Sequence, residues 1–173
     1  VLAVLDSPEV GRARLDLRVR QRELTVARAR ADYDRLVAAN VAELIPELRR
    51  STEAAVIEKK YAGRPLGPFY AQLMTAYSKY DIASHEEKKM AGLFAKEIVG
   101  EHQPFVTKHT REGTQAEFQG ALETARFEAN QQSLVSSQKA RDAEAGVIDA
   151  GQRLRILAVD LDLDDLLAHP ERA

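Results

Sequence analysis

Residues Pro8 to Leu48, PEVGRARLDLRVRQRELTVARARADYDRLVAANVAELIPEL, carry an apolar residue at every seventh position. Apolar repetition with this period, sustained over five heptads, predicts a long α-helix with a seam that packs against another helix. We call these positions the inner seam. They are Val10, Leu17, Leu24, Ala31, Ala38 and Ile45.

A second apolar series has the same spacing two residues further along the chain. It consists of Val19, Val26 and Tyr33, which we call the outer stripe. Two residues correspond to about 200° around an α-helix, so the outer stripe lies nearly opposite the inner seam. The predicted helix therefore has two apolar faces and is expected to have two neighbours.

The residues before this helix, Val-Leu-Ala-Val-Leu-Asp at positions 1–6, have the composition of a short β-strand. Ser7 is a good N-cap, Pro8 suits the first helical position and Glu9 meets the positive end of the helix. No later segment has the pattern of a strand, so the predicted strand has no partner within this sequence. We therefore expect the chain to be part of a larger protein.

Both ends of the sequence resemble one protein family, the periplasmic adaptor (membrane fusion) proteins of the heavy-metal efflux type. The N-terminal end resembles the point where the first half of a lipoyl-like domain passes into an α-helical hairpin. The residues that carry this likeness are Leu2, Leu5, Asp6, Ser7, Pro8, Glu9, Val10 and Ala13. Gln152-Arg-Leu-Arg-Ile-Leu157 resembles the Gln-Arg-Leu-Arg-Leu-Leu-Gly with which that hairpin returns to the second lipoyl half, although Ala158 stands where the family usually has glycine.

The resemblance implies a periplasmic adaptor subunit of a tripartite efflux pump. Its hairpin would dock an outer-membrane channel and pack against neighbouring adaptor copies, while regions outside this chain would contact the inner-membrane transporter and the inner membrane. The expected domains are residues 1–7 as the end of the first lipoyl-like half, 8–158 as the α-helical hairpin and 159–173 as a tail leading towards the second half. A hairpin does not indicate whether the exported substrate is a metal ion or an organic compound.

The composition favours helices with much surface and a thin core, since 30% of the residues are charged and only 6% are aromatic. The net charge of -2 gives no reason to expect nucleic acid as a partner, and the arginine-rich stretch from Arg12 to Arg35 is interpreted as a solvated helix face. Cysteine is absent, which excludes disulfides and thiolate metal sites. No signal peptide or membrane-spanning apolar run is recognisable, so the periplasmic location follows from the resemblance alone.

In the middle of the chain, prolines and glycines predict where the helices end. Pro46 is expected to turn the chain after the first helix, because a proline inside a helix removes a backbone hydrogen bond. A short helical stretch follows at 47–60. Tyr61-Ala-Gly-Arg-Pro-Leu-Gly-Pro68 is then a clear break with two glycines and two prolines.

Two further helices are expected. The third would run from Pro68 to about Val99, and Gly100 with Pro104 would end it. Its apolar stripe is Phe69, Leu73, Ala76, Tyr80 and Ala83, extended by Met90, Phe94 and Ile98. The last helix would run from about Phe105 to Leu157 on a seam of mostly small residues spaced by seven. That seam is Leu122, Ala129, Ser136, Ala143, Ala150 and Leu157.

The expected fold class is all-α, a long antiparallel helical hairpin or coiled-coil bundle of three to four helical segments with a short N-terminal β-strand. If the chain turns at Pro46, the helices that run in one direction and those that run back have nearly equal total lengths at about 1.5 Å per residue. The chain then ends beside its start. A first helix running straight to Lys60 would make the return overshoot, so the turn at Pro46 is preferred. The distal tip, expected to contact the channel, is then Gly100, Glu101, His102, Gln103 and Pro104.

The family's usual tip carries an arginine, a leucine four residues later and a serine seven further on. Arg35 fits the first place, but Ala39 and Pro46 occupy the other two, so the motif is broken. Arg35 therefore stays a candidate for channel contact, with an exposed helix arginine as the alternative. The outer stripe, Val19, Val26 and Tyr33, is the candidate for assembly with neighbouring adaptors.

No pattern of catalytic or metal-binding residues stands out. Ferritin-like di-metal sites need Glu-x-x-His pairs. The residues three positions before the four histidines are Ile82, Val99, Val106 and Leu166. Met74 and Met90, sixteen residues apart, are interpreted as packing residues, and His102 and His109 have no third ligand nearby. The sequence thus predicts no enzyme, no cofactor and no metal site.

Two classes of function remain. The first is the helical hairpin of a periplasmic adaptor that bridges an exporter and an outer-membrane channel. The second is a self-contained helical bundle or coiled-coil scaffold that binds a partner protein. Lipoyl-like and β-barrel segments in the flanking sequence would distinguish the first from the second.

Overall fold

The computed structural model describes residues 8–50, 53–157, 159 and 167. It contains the four α-helices α1 (Pro8–Arg49), α2 (Ala54–Tyr61), α3 (Phe69–Phe94) and α4 (His102–Ile156). Among these residues there is no β-strand, and the predicted helical class is confirmed. The strand predicted at positions 1–6 and nearly all of the tail predicted at 159–173 lie outside the described residues.

The chain divides into two compact units, and both α1 and α4 contribute to each. Unit 1 comprises residues 1–35 and 132–173, and unit 2 comprises residues 36–131. The predicted boundaries at residues 7 and 158 fall on residues outside the described part of the chain. They therefore stay predictions.

Unit 1 is held together by the inner seam of α1 packed against α4. Leu17, Leu24 and Ala31 are buried, as their seven-residue spacing predicted. They face a buried series on α4 that is rich in small and branched side chains and includes Val147 and Ala150. Small residues let two helices approach closely, and Ala150 of the seam predicted for α4 is buried in one cluster with Leu17 and Leu24 of the inner seam.

Side-chain contacts in unit 1 define the direction of the two helices. Asp16 lies 3.6 Å from Arg153, and Arg28 lies 3.4 Å from Glu144. The residue number rises on α1 as it falls on α4, so the two helices are antiparallel in this unit. Further along, Gln132 donates to the buried carboxylate of Asp34 at 3.1 Å, and Arg30 donates to the other oxygen of that carboxylate at 2.9 Å.

Unit 2 has a larger core, built from the end of α1, α2, α3 and the first half of α4. The fully buried side chains Leu44, Leu73 and Leu122 come from three of these helices. Tyr80 of α3 stacks on Phe118 of α4 with ring centroids 5.6 Å apart. These residues lie on the apolar stripe predicted for the third helix and on the face of α4 that carries its predicted seam.

The segment after α1 folds back along it. Lys60 lies 2.9 Å from Glu47, Arg64 lies 2.7 Å from Glu43, and Asn40 donates to the carbonyl oxygen of Pro65 at 2.8 Å. As the residue number falls along α1 from Glu47 to Asn40, the number of its partner rises from Lys60 to Pro65. Thus α2 and the loop that follows it run antiparallel to the last turns of α1.

The predicted turn at Pro46 is wrong, because α1 continues through this residue to Arg49. Pro46 costs one backbone hydrogen bond, but its ring is exposed and clear of the core. Its neighbours Ile45 and Leu48 are both buried in the unit 2 core, which offsets the loss. The alternative of a straight helix to Lys60 is also wrong, since α1 ends eleven residues earlier.

The break predicted at residues 61–68 is confirmed. Gly63 and Gly67 hold φ angles of +76° and +55°, a region that favours glycine. Leu66 within this loop is buried in the core of unit 2. The loop is therefore fixed by backbone conformation and by an apolar anchor.

The end of α3 differs from the prediction. The helix ends at Phe94, and Glu97, with φ of +58°, takes the left-handed position expected for Gly100. The amide of Ile98 donates to the carbonyl of Leu93 at 3.0 Å and that of Glu97 to the carbonyl of Phe94 at 2.9 Å, which is the Schellman arrangement. Pro104 lies in the first turn of α4 and does not follow a helix end.

We expect Glu97→Gly to raise the free energy of unfolding by about 0.5–1 kcal/mol, because a side chain in the left-handed region is strained. Chemical denaturation measures this difference. Gly100→Ala is the matched control: a Cβ at this position meets nothing within 4 Å. It should leave stability within about 0.5 kcal/mol of the wild type. A larger loss in Gly100→Ala would mean that Gly100 forms the strained position.

The contact between α1 and α2 gives a prediction for pH. The hydrogen bond from Lys60 lowers the pKa of Glu47 below its ordinary value of 4.5. The contribution of Glu47 to stability is therefore present above about pH 4.5 and lost as the pH falls through the lowered pKa. In thermal melts, the deficit of Glu47→Gln relative to wild type should shrink towards zero at acid pH. In a Lys60→Gln background the pH-dependent deficit of Glu47→Gln should be much smaller, because the hydrogen bond that lowers the pKa of Glu47 is gone.

Candidate protein-interaction site

The outer stripe of α1 is exposed in unit 1. Val19, Val26 and Tyr33 keep 45%, 70% and 44% of their surface in contact with solvent. Leu24, two residues before Val26, is fully buried. The prediction that the two stripes occupy opposite faces of the helix is confirmed by this contrast.

A groove of 610 Å³ runs beside the outer stripe in unit 1. Its α1 side is formed by Val19, Val26 and Ala27, and its α4 side by Ser136 and the stem of Lys139. From Val19 to Arg30 it extends over eleven residues, about 16 Å along the helix at 1.5 Å per residue. Three turns of another helix would match this length, and the apolar lining suits a helix-in-groove contact.

Some of the charged side chains around the groove form ion pairs and others do not. Glu23 is paired with Arg20 at 3.0 Å, and Arg30 is held by Asp34 at 2.9 Å. Arg22 and Lys139, on opposite walls, have no ion pair among the described residues. The groove therefore offers an apolar centre flanked by two available cations.

The same face of α1 is covered in unit 2. Continuing the outer stripe by sevens from Tyr33 gives Asn40 and Glu47. Asn40 is buried under the loop at Pro65, and Glu47 is paired with Lys60 of α2. One helix face thus receives a covering segment in unit 2 and remains open in unit 1.

The connection between α3 and α4 forms a second exposed surface, which we call the tip turn (residues 95–101). The residues predicted to contact a channel lie in it or in the first turn of α4. Gly100, Glu101, His102 and Gln103 are exposed, and Pro104 is half-buried. Thr107 donates to the carbonyls of Gln103 and Pro104 at 3.1 Å, which fixes this first turn.

Apolar side chains around the tip turn were not identified as a site from the sequence. Phe94, Ile98, Phe105 and Val106 are all exposed. The sequence assigned Phe94 and Ile98 to the apolar stripe of the third helix. For Ile98 this is wrong, because α3 ends at Phe94; Phe94 is the last residue of α3, and both side chains are exposed. The sequence does contain a signal for this site, since these four large apolar residues flank the break between Gly100 and Pro104. A chain reversal has few neighbouring side chains that could bury them.

Phe105 and His109 stabilise one side of this surface. Their rings meet edge to face with centroids 4.3 Å apart, and His109 Nδ1 lies 3.2 Å from Glu112. One turn apart on α4, the two rings form a small aromatic ledge. An exposed aromatic pair of this kind can contribute to a contact with another protein.

Arg35 lies in unit 1, whereas the tip turn lies in unit 2. Its guanidinium is exposed and lies 3.3 Å from Asp32 on the same helix. An exposed pair of this kind contributes little to stability. The charge of Arg35 therefore remains accessible to a partner.

Within the described part of the chain, no group of three or more histidine, aspartate or glutamate side chains could hold a metal ion. Met74 packs against the unit 2 core, in agreement with its interpretation as a packing residue. None of the described helices combines the length and apolar character needed to cross a membrane.

Comparisons with known proteins give no family assignment. No family model matches the chain, and searches of curated proteins and of solved structures find no match. The candidate surfaces therefore rest on the geometry described above.

The two faces of α1 should respond differently to the same substitution. Leu24→Asp places a carboxylate in a dry seam and should cost several kcal/mol, enough to unfold unit 1. Val26→Asp changes an exposed side chain and should alter stability by about 0.5 kcal/mol or less. Circular dichroism melts of the two variants make this comparison. Equal losses would mean that the outer stripe belongs to an internal core.

Proposed function

We propose that this chain is the α-helical hairpin region of a periplasmic adaptor subunit of a tripartite efflux pump. In this function it has no enzymatic role and needs no cofactor. It would link an inner-membrane transporter, reached through regions outside this chain, to an outer-membrane channel. The proposal includes a periplasmic location and the finer fold description of a long antiparallel hairpin or coiled coil.

One observation carries the proposal. The two sequence motifs that resemble the family's domain junctions meet in unit 1, where Val10 and Ala13 pack in the same apolar cluster as Leu154 and Val159. A helical hairpin inserted into another domain must return its chain to the point of departure. The short distance between Asp16 and Arg153 supports the same requirement.

The tip turn suits the docking role. It presents exposed apolar side chains together with Glu101, His102 and Gln103, which can form polar contacts at a partly wet interface. Each side chain in so small a contact would contribute on the order of 1 kcal/mol or less, and affinity would come from several copies engaging at once. Neighbouring adaptor copies would then pack through the outer stripe and bring these tips together.

The experiment is resistance of cells to metal ions and toxic organic compounds, with the full-length protein carrying single substitutions. Ile98→Asp or Phe105→Asp should reduce resistance, because a carboxylate would have to be desolvated in the contact with the channel. Both side chains are exposed, so the variants should remain folded. Val56→Asp, at an exposed apolar position of α2, is the control and should keep full resistance.

Two further variants separate the alternatives. Gly100→Val should leave resistance nearly unchanged, since Gly100 needs no special backbone conformation. Loss of resistance with Arg35→Ala alone would indicate that the contact with the channel lies near Arg35. Unchanged resistance in all of these variants would favour the self-contained helical bundle, and the separate core of unit 2 is compatible with that alternative.

A further inference from the structure

One flank of the α1–α4 pair in unit 1 is marked by the ion pair between Arg28 and Glu144, 3.4 Å apart. On α1 this flank carries Arg14, Gln21 and Arg28, which are spaced by seven and therefore share one side of the helix. On α4 it carries Gly151, seven residues after Glu144. We call these five residues the Gln21 flank.

The Gln21 flank is covered, whereas the opposite flank is open. Gln21 is 1% exposed, and Gly151 is buried. On the opposite flank, beside the groove, the side chain of Arg20 is 46% exposed and Ala27 is only half-buried. In the antiparallel pairing Gly151 is nearly level with Gln21, and it has no side chain that could cover the glutamine. We therefore expect another part of the chain to lie over this flank.

Leu167 also lies on the Gln21 flank. Arg28 donates to its backbone carbonyl oxygen at 2.7 Å, and its side chain packs against the apolar cluster of unit 1. Val159, just after α4, packs against the same cluster, and its amide donates to the carbonyl of Leu154 at 3.1 Å. The two residues that border positions 160–166 are therefore both held on unit 1.

The stretch between Val159 and Leu167 is long enough to cross the Gln21 flank. Val159 is fixed at the level of Leu154, and Leu167 is fixed at the level of Arg28. On α4 these two levels are ten residues apart, about 15 Å. Eight peptide steps can span up to about 27 Å. Gln21 lies between the two levels.

Charge favours the same contact. Residues 160–166, Asp-Leu-Asp-Leu-Asp-Asp-Leu, have four carboxylates and three leucines, and we call them the acidic segment. Glu144, the carboxylate of the Gln21 flank, is already paired with Arg28. Three exposed arginines belong to the flank or lie three residues from one of its members, and they have no ion pair among the described residues. They are Arg14, Arg18 and Arg141.

We propose that the acidic segment docks along the Gln21 flank, with Leu167 as its apolar anchor and its aspartates beside the three arginines. The buried amide of Gln21 has no hydrogen-bond partner among the described residues. A peptide unit that passes over it can donate to its oxygen and accept from its nitrogen. Salt screens the attraction between opposite charges, so the docking weakens as the ionic strength rises.

Docking holds the chain that leaves α4 against the α1–α4 pair. In the proposed adaptor this chain leads to the second lipoyl-like half, so the docked segment would limit the movement of the hairpin relative to that half. This consequence rests on the proposed function, whereas the docking itself does not.

Thiol reactivity measures the docking, since the chain has no cysteine of its own. Gln21→Cys should react slowly with a thiol reagent, and adding Leu167→Asp should speed the reaction on the order of tenfold, because a carboxylate cannot stay in the apolar cluster. Ala150→Cys, in the buried seam, is the matched control and should stay slow in both chains.

Two results of this experiment would overturn the proposal. Unchanged reactivity of Gln21→Cys on adding Leu167→Asp would mean that α1 and α4 alone bury this position. Equal acceleration at Gln21→Cys and Ala150→Cys would mean that Leu167 belongs to the core of unit 1 and does not anchor a separable segment.

Charge variants test the electrostatic part and leave the apolar anchor unchanged. With Gln21→Cys as the reporter, Arg14→Glu should speed the reaction several-fold, and so should salt at about 0.5 M. Arg12→Glu makes the same charge change at an exposed position one heptad before Val19 and is the matched control.

Removing the negative charges completes the test. Asparagine at all four aspartate positions of the acidic segment should give the fast reaction and remove its dependence on salt. These positions are Asp160, Asp162, Asp164 and Asp165. Reactivity of Gln21→Cys that does not change with salt in the otherwise wild-type chain would overturn the proposal. The resistance assay probes the tip turn, so the adaptor function is judged separately.

Discussion

Unit 1 depends on the burial of one narrow seam. Leu17 and Leu24 of α1 form one apolar cluster with Val147 and Leu154 of α4 in unit 1. Burying a leucine contributes about 1.5–3 kcal/mol, and isolated helices in water are only marginally stable. The seven-residue spacing is essential, because a shift of the apolar series by one residue would rotate it by about 100° out of the contact.

A single helix face is used in two ways. In unit 2 the continuation of the outer stripe, Asn40 and Glu47, is covered by the loop at Pro65 and by α2. In unit 1 the preceding members, Val26 and Tyr33, are exposed and no described segment covers them. The chemistry differs accordingly: Glu43 and Glu47 of α1 meet Arg64 and Lys60 of the covering segment, whereas the open groove carries unpaired cations. A partner at the open groove would therefore meet apolar side chains and the cations of Arg22 and Lys139.

Some buried polar groups restrict how α1 and α4 can pair. The carboxylate of Asp34 is almost fully buried and accepts from Arg30 of the same helix and from Gln132 of α4, so a slip of the two helices would cost it the bond from Gln132. Gln21 is buried in the seam, and its amide atoms find no hydrogen-bond partner among the described residues. Polar residues in a helical seam lower stability but favour one register over others. Asp34 and Gln21 are buried polar residues of this kind.

The prediction of the candidate site from the sequence was uneven for a physical reason. The outer stripe was found because its spacing is a property of one helix. Lys139 was missed, since its place beside Val26 depends on how α4 packs against α1. The exposed cluster at the tip turn was missed because Phe94 and Ile98 continue an apolar pattern, whereas in the structure α3 ends at Phe94 and both side chains are exposed.

The sequence by itself determined the helical class, the two faces of α1, the small-residue seam of α4 and the break at residues 61–68. These features follow from local periodicity and from the conformational freedom of glycine, which need no knowledge of distant residues. The tertiary structure decided that α1 continues through Pro46 and that Glu97 takes the left-handed position. In both places burial or helix-end hydrogen bonding outweighs a local preference of about 1 to 3 kcal/mol, and that balance is set only when the helices pack.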